Sequence, residues 1–281
     1  MSDDLWGTDR LDLSAYLERI GAVEPSGPSR AALEEIYAAH LRTFTFDNID
    51  VLLDQHPGVD LPEVQAKFAG RGRGGYCFEH GTLLGAVLDR LGFAVERRLA
   101  RVGPDPTAAG RTHLVVVADP STSSGHRLDG GERLLLDPGF GLSLWRPIPL
   151  ADGAVDEVRG ISHRVRRSEH GWALERGKDD GWELMHTHDE ALVVPSDVAL
   201  GHHYTSTHPT VHFRHRMIVT RLLEDRHVSL TNDTVTIRRE GEETEHREIG
   251  PDEAMAWVEE LEVPLTDDER ARLRERLGTL G

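Results

Sequence analysis

The stretch Arg71-Gly72-Arg73-Gly74-Gly75-Tyr76-Cys77-Phe78-Glu79-His80-Gly81 carries the one cysteine of a 281-residue chain and runs straight into a helical pattern. Leu84, Leu88 and Leu91 recur at i, i+4 and i+7, with Leu83 and Val87 alongside. That spacing predicts a helix that begins near Cys77 and ends at Gly92, a residue suited to a left-handed C-terminal cap. Cys77 then sits at the positive end of a helix dipole, where unpaired N–H groups favour thiolate over thiol, and the thiolate is the nucleophile. The glycines just upstream permit close backbone approach and positive φ. An unpaired cysteine is more often a small buried hydrophobe than a catalyst. A chemical role therefore requires partners from elsewhere in the chain.

Upstream of this stretch the periodicity is helical. Residues 13–21 place Leu13, Leu17 and Ile20 on one side and stop at Gly21. Ser29 is suited to cap a second helix whose stripe is Leu33, Ile36, Tyr37, His40 and Leu41, with His40 as a packed side chain rather than a ligand. The run 44–53 is aromatic and β-branched and reads as extended. Asp60-Leu61-Pro62-Glu63 supplies a cap, an early proline and an acidic first turn for a helix through about Phe68.

Downstream of Gly92 the period changes to two. A strand is predicted over 93–102, a loop over 103–110, and further strands over 114–118, 133–137, 142–148, 158–166, 172–175, 182–186 and 191–194. Their spacing and the turn residues between them suggest an antiparallel sheet or barrel. A third segment opens near Val198 with a histidine-rich entry and strands at 213–222, 227–231, 234–239 and 245–249. Asn232-Asp233 marks a hairpin there, and helices close the chain at 251–261 and 267–277.

A formal charge of −17 argues against nucleic acid as the main partner and against an acidic membrane surface. Basic spots such as Arg71 with Arg73, or Arg97, Arg98 and Arg101, still suit an anionic cofactor. One cysteine excludes an internal disulfide framework. Met1-Ser2-Asp3-Asp4 starts acidic, without a basic region followed by an apolar run, so no secretory leader is expected. No window approaches the roughly eighteen apolar residues of a membrane span. The expected compartment is a reducing cytoplasm.

A thiolate needs a base, and the base needs an orienting acceptor. His113 opens the strand Leu114-Val115-Val116-Val117, and Asp137 ends Leu134-Leu135-Leu136 ahead of the turn Pro138-Gly139-Phe140-Gly141. If the two strands pair antiparallel across the loop 120–132, the first residue of one lies near the last of the other. An Asp accepting from one ring nitrogen of His113 would leave the other facing Cys77. Read singly, His113 caps a strand and Asp137 starts a turn. Competing motifs are weaker. The glycines from Gly70 to Gly75 fit a dinucleotide fingerprint in spelling only, because the segment before them reads as helix rather than strand. The histidines at 186, 188, 202, 203, 208, 212 and 215 match no metal-ligand spacing with a defined third partner, and no metal is expected.

Several motifs in order resemble the arylamine N-acetyltransferase family: Arg73-Gly74-Gly75-Tyr76-Cys77-Phe78-Glu79, then Thr112-His113, then Leu136-Asp137-Pro138-Gly139-Phe140-Gly141. Phe46-Asp47-Asn48 resembles that family's upstream element, and Tyr204 to Phe213 its entry to the third domain. The resemblance spans roughly residues 30–240. It implies an α+β fold with a cysteine-protease-like catalytic core: a helical domain at 1–92, an antiparallel β-barrel domain at 93–197 and an α/β lid at 198–281. It also implies ping-pong acetyl transfer from acetyl-CoA, as co-substrate, through a Cys77 thioester, with His113 as base and Asp137 as orienter. The acceptor would be a small arylamine, hydrazine or arylhydroxylamine held by Phe46, Phe140 and Phe213, with Thr112 and Gly139 beside the donor. An amide synthase of the same fold, closing a polyketide macrolactam, is the alternative. A binding protein without turnover is a third reading, and homo-oligomerisation is left open.

The sequence departs from the family pattern in places. Asp47 replaces the usual Glu and shortens a carboxylate expected to pair with Arg73. Pro138 and Leu142 flank the Gly-Phe-Gly turn, the second able to alter the pocket wall. His202 or His203 stands where an Asn is common.

Overall fold

The computed structural model describes residues 4–123, 132–142 and 144–280. Most of the expected loop 120–132, part of the expected strand 142–148 and the first three residues of the acidic start lie outside them.

Helices α1 (Leu13–Ile20) and α2 (Arg30–Thr43) form as the periodicity predicts, with Gly21 in the left-handed region after the first. The Ser29 side chain accepts from the Ala32 N–H at the start of the second. The run 44–53 is not one extended segment. Strand β1 covers only Phe46–Asp47, and the chain then turns into a short helix α3 (Ile49–Leu52). Asn48 is the reason: its side-chain oxygen accepts from the Ile218 N–H, and its amide donates to the Phe213 and Arg216 carbonyls. Helix α4 (Leu61–Gln65) continues as a wider π turn through Gly70, and the Asp60 side chain makes no cap bond to it. Helix α5 (Cys77–Arg90) starts at the cysteine, and Gly92 at φ +88° ends the turn that follows it. Every residue from Cys77 to Leu88 is buried, so the helix is enclosed by protein on all sides over its first three turns.

Eight antiparallel strands follow in a nearly closed barrel. They are β2 (Phe93–Val102), β3 (Arg111–Ser123), β4 (Leu134–Leu136), β5 (Ile148–Pro149), β6 (Val155–Val158), β7 (Ile161–Ser168), β8 (Gly171–Lys178) and β9 (Gly181–His188). Their order in the sheet is β5-β4-β3-β2-β9-β8-β7-β6. Alternation along β3 and β4 divides two cores. Val116, Ala118, Leu134 and Leu136 pack outward on α1, α2 and α5, while Val115, Val117 and Leu135 fill the barrel with Ala100, Trp172 and Leu174. Only 148–149 of the expected strand 142–148 joins the sheet. Residues 191–194 form no strand; they lead into α6 (Pro195–Thr207), which takes proline in its first turn.

The last segment is a second antiparallel sheet with two helices on it. Its strands are β10 (Ile218–Leu222), β11 (Arg226–Thr231), β12 (Thr234–Arg239) and β13 (Glu245–Glu248), and its helices α7 (Pro251–Glu260) and α8 (Asp267–Leu277). The strand expected from 213 starts later, because His212–Arg214 is a 3₁₀ turn. The hairpin at Asn232-Asp233 joins β11 to β12 as the turn residues suggest. Strand β1 completes this sheet beside β10, with Phe46 opposite Thr220. Ile49, Leu52 and Leu53 share its apolar core. No helix among the described residues is long and apolar enough to cross a membrane.

Candidate active site

Three segments converge on the start of α5. The Arg73-Gly74-Gly75 approach is fixed by space: a Cβ at Gly74 would lie 1.8 Å from the Thr45 carbonyl oxygen. Gly75 bridges to Phe46 in parallel, tying the motif to β1. A buried chain of charges secures the first turn. Arg73 lies 3.0 Å from Asp50 and 3.4 Å from Asp47, so the expected Asp47 pairing forms, with Asp50 the nearer partner. Lys67 joins Asp50 at 2.7 Å to Glu79 at 2.8 Å. The other Glu79 oxygen accepts from the Tyr76 N–H at 3.0 Å, immediately before Cys77.

Cys77 is the first residue of α5, 3% exposed and unpaired, with Sγ 3.7 Å from the Thr112 carbonyl oxygen. His113 and Asp137 come together as strand pairing predicts. Val116 pairs with Leu136, which places Asp137 level with Val115 and on the inner barrel face it shares with His113. His113 Nε2 lies 2.9 Å from Asp137 Oδ1. Its remaining nitrogen is the one available to the Cys77 side chain, which is within hydrogen-bonding reach. Burial alone would push the imidazole down, but the Asp137 carboxylate and Cys77 outweigh it and lift His113 to about 10. Burial also works against ionised Asp137, yet its pairing with His113 and His186 holds it well below the usual carboxylate range.

A cavity of about 570 Å³ opens over the sulfur and is lined by Phe46, Thr112, His113, Gly139, Phe140 and Phe213 together with Cys77 itself. Asp137 is fully buried beneath it. Phe46 and Phe213 face each other with ring centres 6.3 Å apart. Phe140 also packs edge-on against His113 at 5.2 Å. Gly139 abuts the cysteine: a Cβ there would stand 2.4 Å from Cys77 Cα.

One residue of this constellation escaped the sequence reading. His186 Nε2 lies 3.1 Å from Asp137 Oδ2. The signal was alternation: His186 and His188 stand two apart on β9, opposite Leu174 and Trp172, and that face is the barrel interior. His113, Asp137 and His186 present atoms within 4.8 Å of one another, close enough for a metal ion, but both carboxylate oxygens are engaged by ring nitrogens. A buried nucleophile on a helix N-terminus, a paired imidazole, an ionised acceptor and an apolar cavity together suit acyl transfer through sulfur.

Comparison with known proteins gives the same direction. Residues 30–268 match a family model described as N-acetyltransferase. The chain is 36% identical to an arylamine N-acetyltransferase of Mycolicibacterium smegmatis over 84% of this chain and 85% of that one. The structure of the arylamine N-acetyltransferase from Mycobacterium abscessus superposes with a TM-score of 0.87 at 31% identity, covering 99% of both chains. A Mycobacterium marinum arylamine N-acetyltransferase solved in complex with CoA superposes at 0.84 with 27% identity, over 96% of this chain and 99% of that one.

Proposed function

The chain belongs to the arylamine N-acetyltransferase family, and from that premise we propose that Cys77 carries an acetyl group from acetyl-CoA to the nitrogen of a small arylamine, hydrazine or arylhydroxylamine. The observation that carries this reading is the junction of Cys77, His113 and Asp137 at the floor of an aromatic-walled cavity.

In this reading the proton of the Cys77–His113 pair sits on His113, and the sulfur attacks the carbonyl carbon of the acetyl thioester. The new S–C bond forms as the bond to CoA breaks, and the leaving CoA thiolate takes the proton from His113. The acceptor nitrogen then attacks acetyl-Cys77, the S–C bond breaks, and the nitrogen's proton passes to His113, restoring the pair. Asp137 orients the ring and supports its charge without taking the proton. A thioester suits both halves, since sulfur is a strong nucleophile and a fair leaving group. Phe46, Phe140 and Phe213 supply apolar ring surface for a flat acceptor. Thr112 and Gly139, on either side of the sulfur, are the positions we assign beside the donor thioester. We read the chain as three units, 1–92, 93–197 and 198–281, acting in a reducing cytoplasm.

Incubation with acetyl-CoA followed by intact mass measurement should show one added acetyl group, absent in Cys77→Ser and discharged by an aromatic amine. No adduct on the unaltered protein would overturn the reading. None of the relatives described above favours the macrolactam alternative.

A further inference from the structure

His186 is a fully buried group in contact with the triad that the three-residue mechanism leaves unused. It comes from β9, which β2 separates in the sheet from β3 with His113 and from β4 with Asp137 just past its end, and no sequence motif singles it out. Its Nε2 meets Asp137 Oδ2 at 3.1 Å while His113 holds Oδ1 at 2.9 Å. We propose that His186 is a positioning residue: a neutral imidazole that donates its single N–H to the far oxygen of Asp137 and so fixes the plane in which that carboxylate meets His113.

The geometry specifies the tautomer. An ionised carboxylate only accepts, so the bond to Oδ2 requires the proton on His186 Nε2. His186 Nδ1 is then bare, and it has no hydrogen-bond partner. A ring with one nitrogen unpartnered in the interior is tolerable as a neutral acceptor and costly as a cation. The groups around it agree. His113 lies 5.3 Å away between ring centres on one side and carries the positive charge that Asp137 balances. His188 lies 5.9 Å away on the same strand. Burial holds it well below the ordinary imidazole value. His163 on β7 is held down to about 4, again by burial first, and Phe140 closes the remaining side at 5.7 Å. A second cation at 186 would compete with His113 for one carboxylate. A neutral donor instead satisfies the buried oxygen and leaves the negative charge for His113.

The consequence is orientational. Without the His186 N–H, Asp137 keeps a buried oxygen with no donor from β9, and the carboxylate can turn away from the line of the His113 bond. Cys77 loses the correctly aimed partner for its proton. The inference rests on the proposed role of the triad, so its test uses sulfur reactivity and needs no acetyl donor.

His186→Phe keeps an aromatic ring and removes the N–H, whereas His186→Gln can present an amide N–H at about the same reach. The rate of Cys77 alkylation by iodoacetamide near neutral pH should fall roughly tenfold in His186→Phe, the loss expected for one unsatisfied buried partner, and recover most of the way in His186→Gln. Thermal unfolding of both variants reports whether they fold. In the unaltered protein, labelled with ¹⁵N-histidine, nuclear magnetic resonance should show, among its neutral rings, one protonated at Nε2 that is assigned to His186 by its through-space contacts with Phe140 and His113. That measurement decides the matter if a variant does not fold. Wild-type reactivity in folded His186→Phe, no recovery in folded His186→Gln, or an Nδ1–H or doubly protonated ring at 186 would overturn the proposal. Absence of an acetyl adduct beside intact alkylation behaviour would instead count against acetyl transfer alone.

Discussion

Gly139 and Cys77 touch backbone to backbone: a Cβ on residue 139 would fall 2.4 Å from Cys77 Cα and 3.2 Å from its nitrogen. Neither neighbour can give way, since one is the first turn of a buried helix and the other follows directly on Asp137 and Pro138. Gly139→Ala must therefore push the Asp137 turn off the nucleophile. The expected cost is about 1–3 kcal/mol of stability from overpacking, with a larger loss of acetyl-transfer activity because the sulfur and His113 are moved apart. Unfolding in urea and the rate of Cys77 acetylation check the two parts, and wild-type activity in Gly139→Ala would contradict the packing described here.

Arg73 is wholly buried and faces Asp50, Asp47 and Glu269. Removing one partner of a buried charge network leaves the others uncompensated, at roughly 3–5 kcal/mol. Arg73→Ala should lower the melting temperature by roughly 10 °C, since about 1 kcal/mol corresponds to a few degrees in a chain of this size. Glu269 belongs to α8, near the end of the chain, so the same variant should also loosen that helix, seen as faster hydrogen exchange over 267–277. An unchanged melt would refute the network's structural role.

How far the sequence could be read depended on whether the deciding contact was local. The Cys77 helix and the β2 strand follow from periodicity because each writes its own pattern. The His113–Asp137 meeting was inferable because the two strands are neighbours in the chain and in the sheet. The break at Asn48 was not, since its partners lie at 213, 216 and 218 and turn a β-prone run into a helical turn. Residues near 194 are extended as their composition predicts, with Val194 at φ −120° and ψ 164°, but they pair with no strand and serve as the lead-in to α6. Asp50 was overlooked beside Arg73 for a related reason: only the turn after β1 aims both carboxylates at one guanidinium. His186 needed the barrel's curvature to reach Asp137, which no spacing along the chain encodes.

Two buried histidines contribute to the acid side of stability. The Tyr16 hydroxyl lies 2.9 Å from His40 Nδ1, His40 Nε2 lies 2.8 Å from His80 Nδ1, and His80 Nε2 lies 3.1 Å from the Thr45 carbonyl. A carbonyl only accepts, so His80 donates from Nε2 and receives at Nδ1, and His40 donates to it while accepting from Tyr16; both rings are neutral. Burial lowers His80 to about 4 and holds His40 well below its ordinary value. The unfolded chain, with histidines near 6.5, binds more protons, so this contribution is present above about pH 6.5 and is lost as pH falls through about 4. His113, raised to about 10, works oppositely: its contribution is present below about 6.5 and lost as pH rises through 10. Between pH 6.5 and 4.5, stability should fall with acid, and His80→Gln should remove up to about 1.4 kcal/mol per pH unit from that slope. Urea unfolding across that range measures it, and an unchanged slope would exclude His80 as a source.

Substitution of Phe213 should tell the two half-reactions apart. Phe213 is half-buried, sits on the 3₁₀ turn before β10, and faces Phe46 across the cavity at 6.3 Å between ring centres. Tyr76 backs it edge-on at 5.8 Å, so the ring is held in place rather than swinging freely. Removing it takes away one of the two facing aromatic walls without touching Cys77, His113 or Asp137. An aromatic contact of this kind contributes about 0.5–1.5 kcal/mol beyond simple burial. Phe213→Ala should therefore raise KM for an aromatic amine roughly two- to tenfold while leaving the single-turnover rate of Cys77 acetylation near that of the unaltered protein. Loss of the first half-reaction would place Phe213 with the donor, and an unchanged KM would remove it from the acceptor wall.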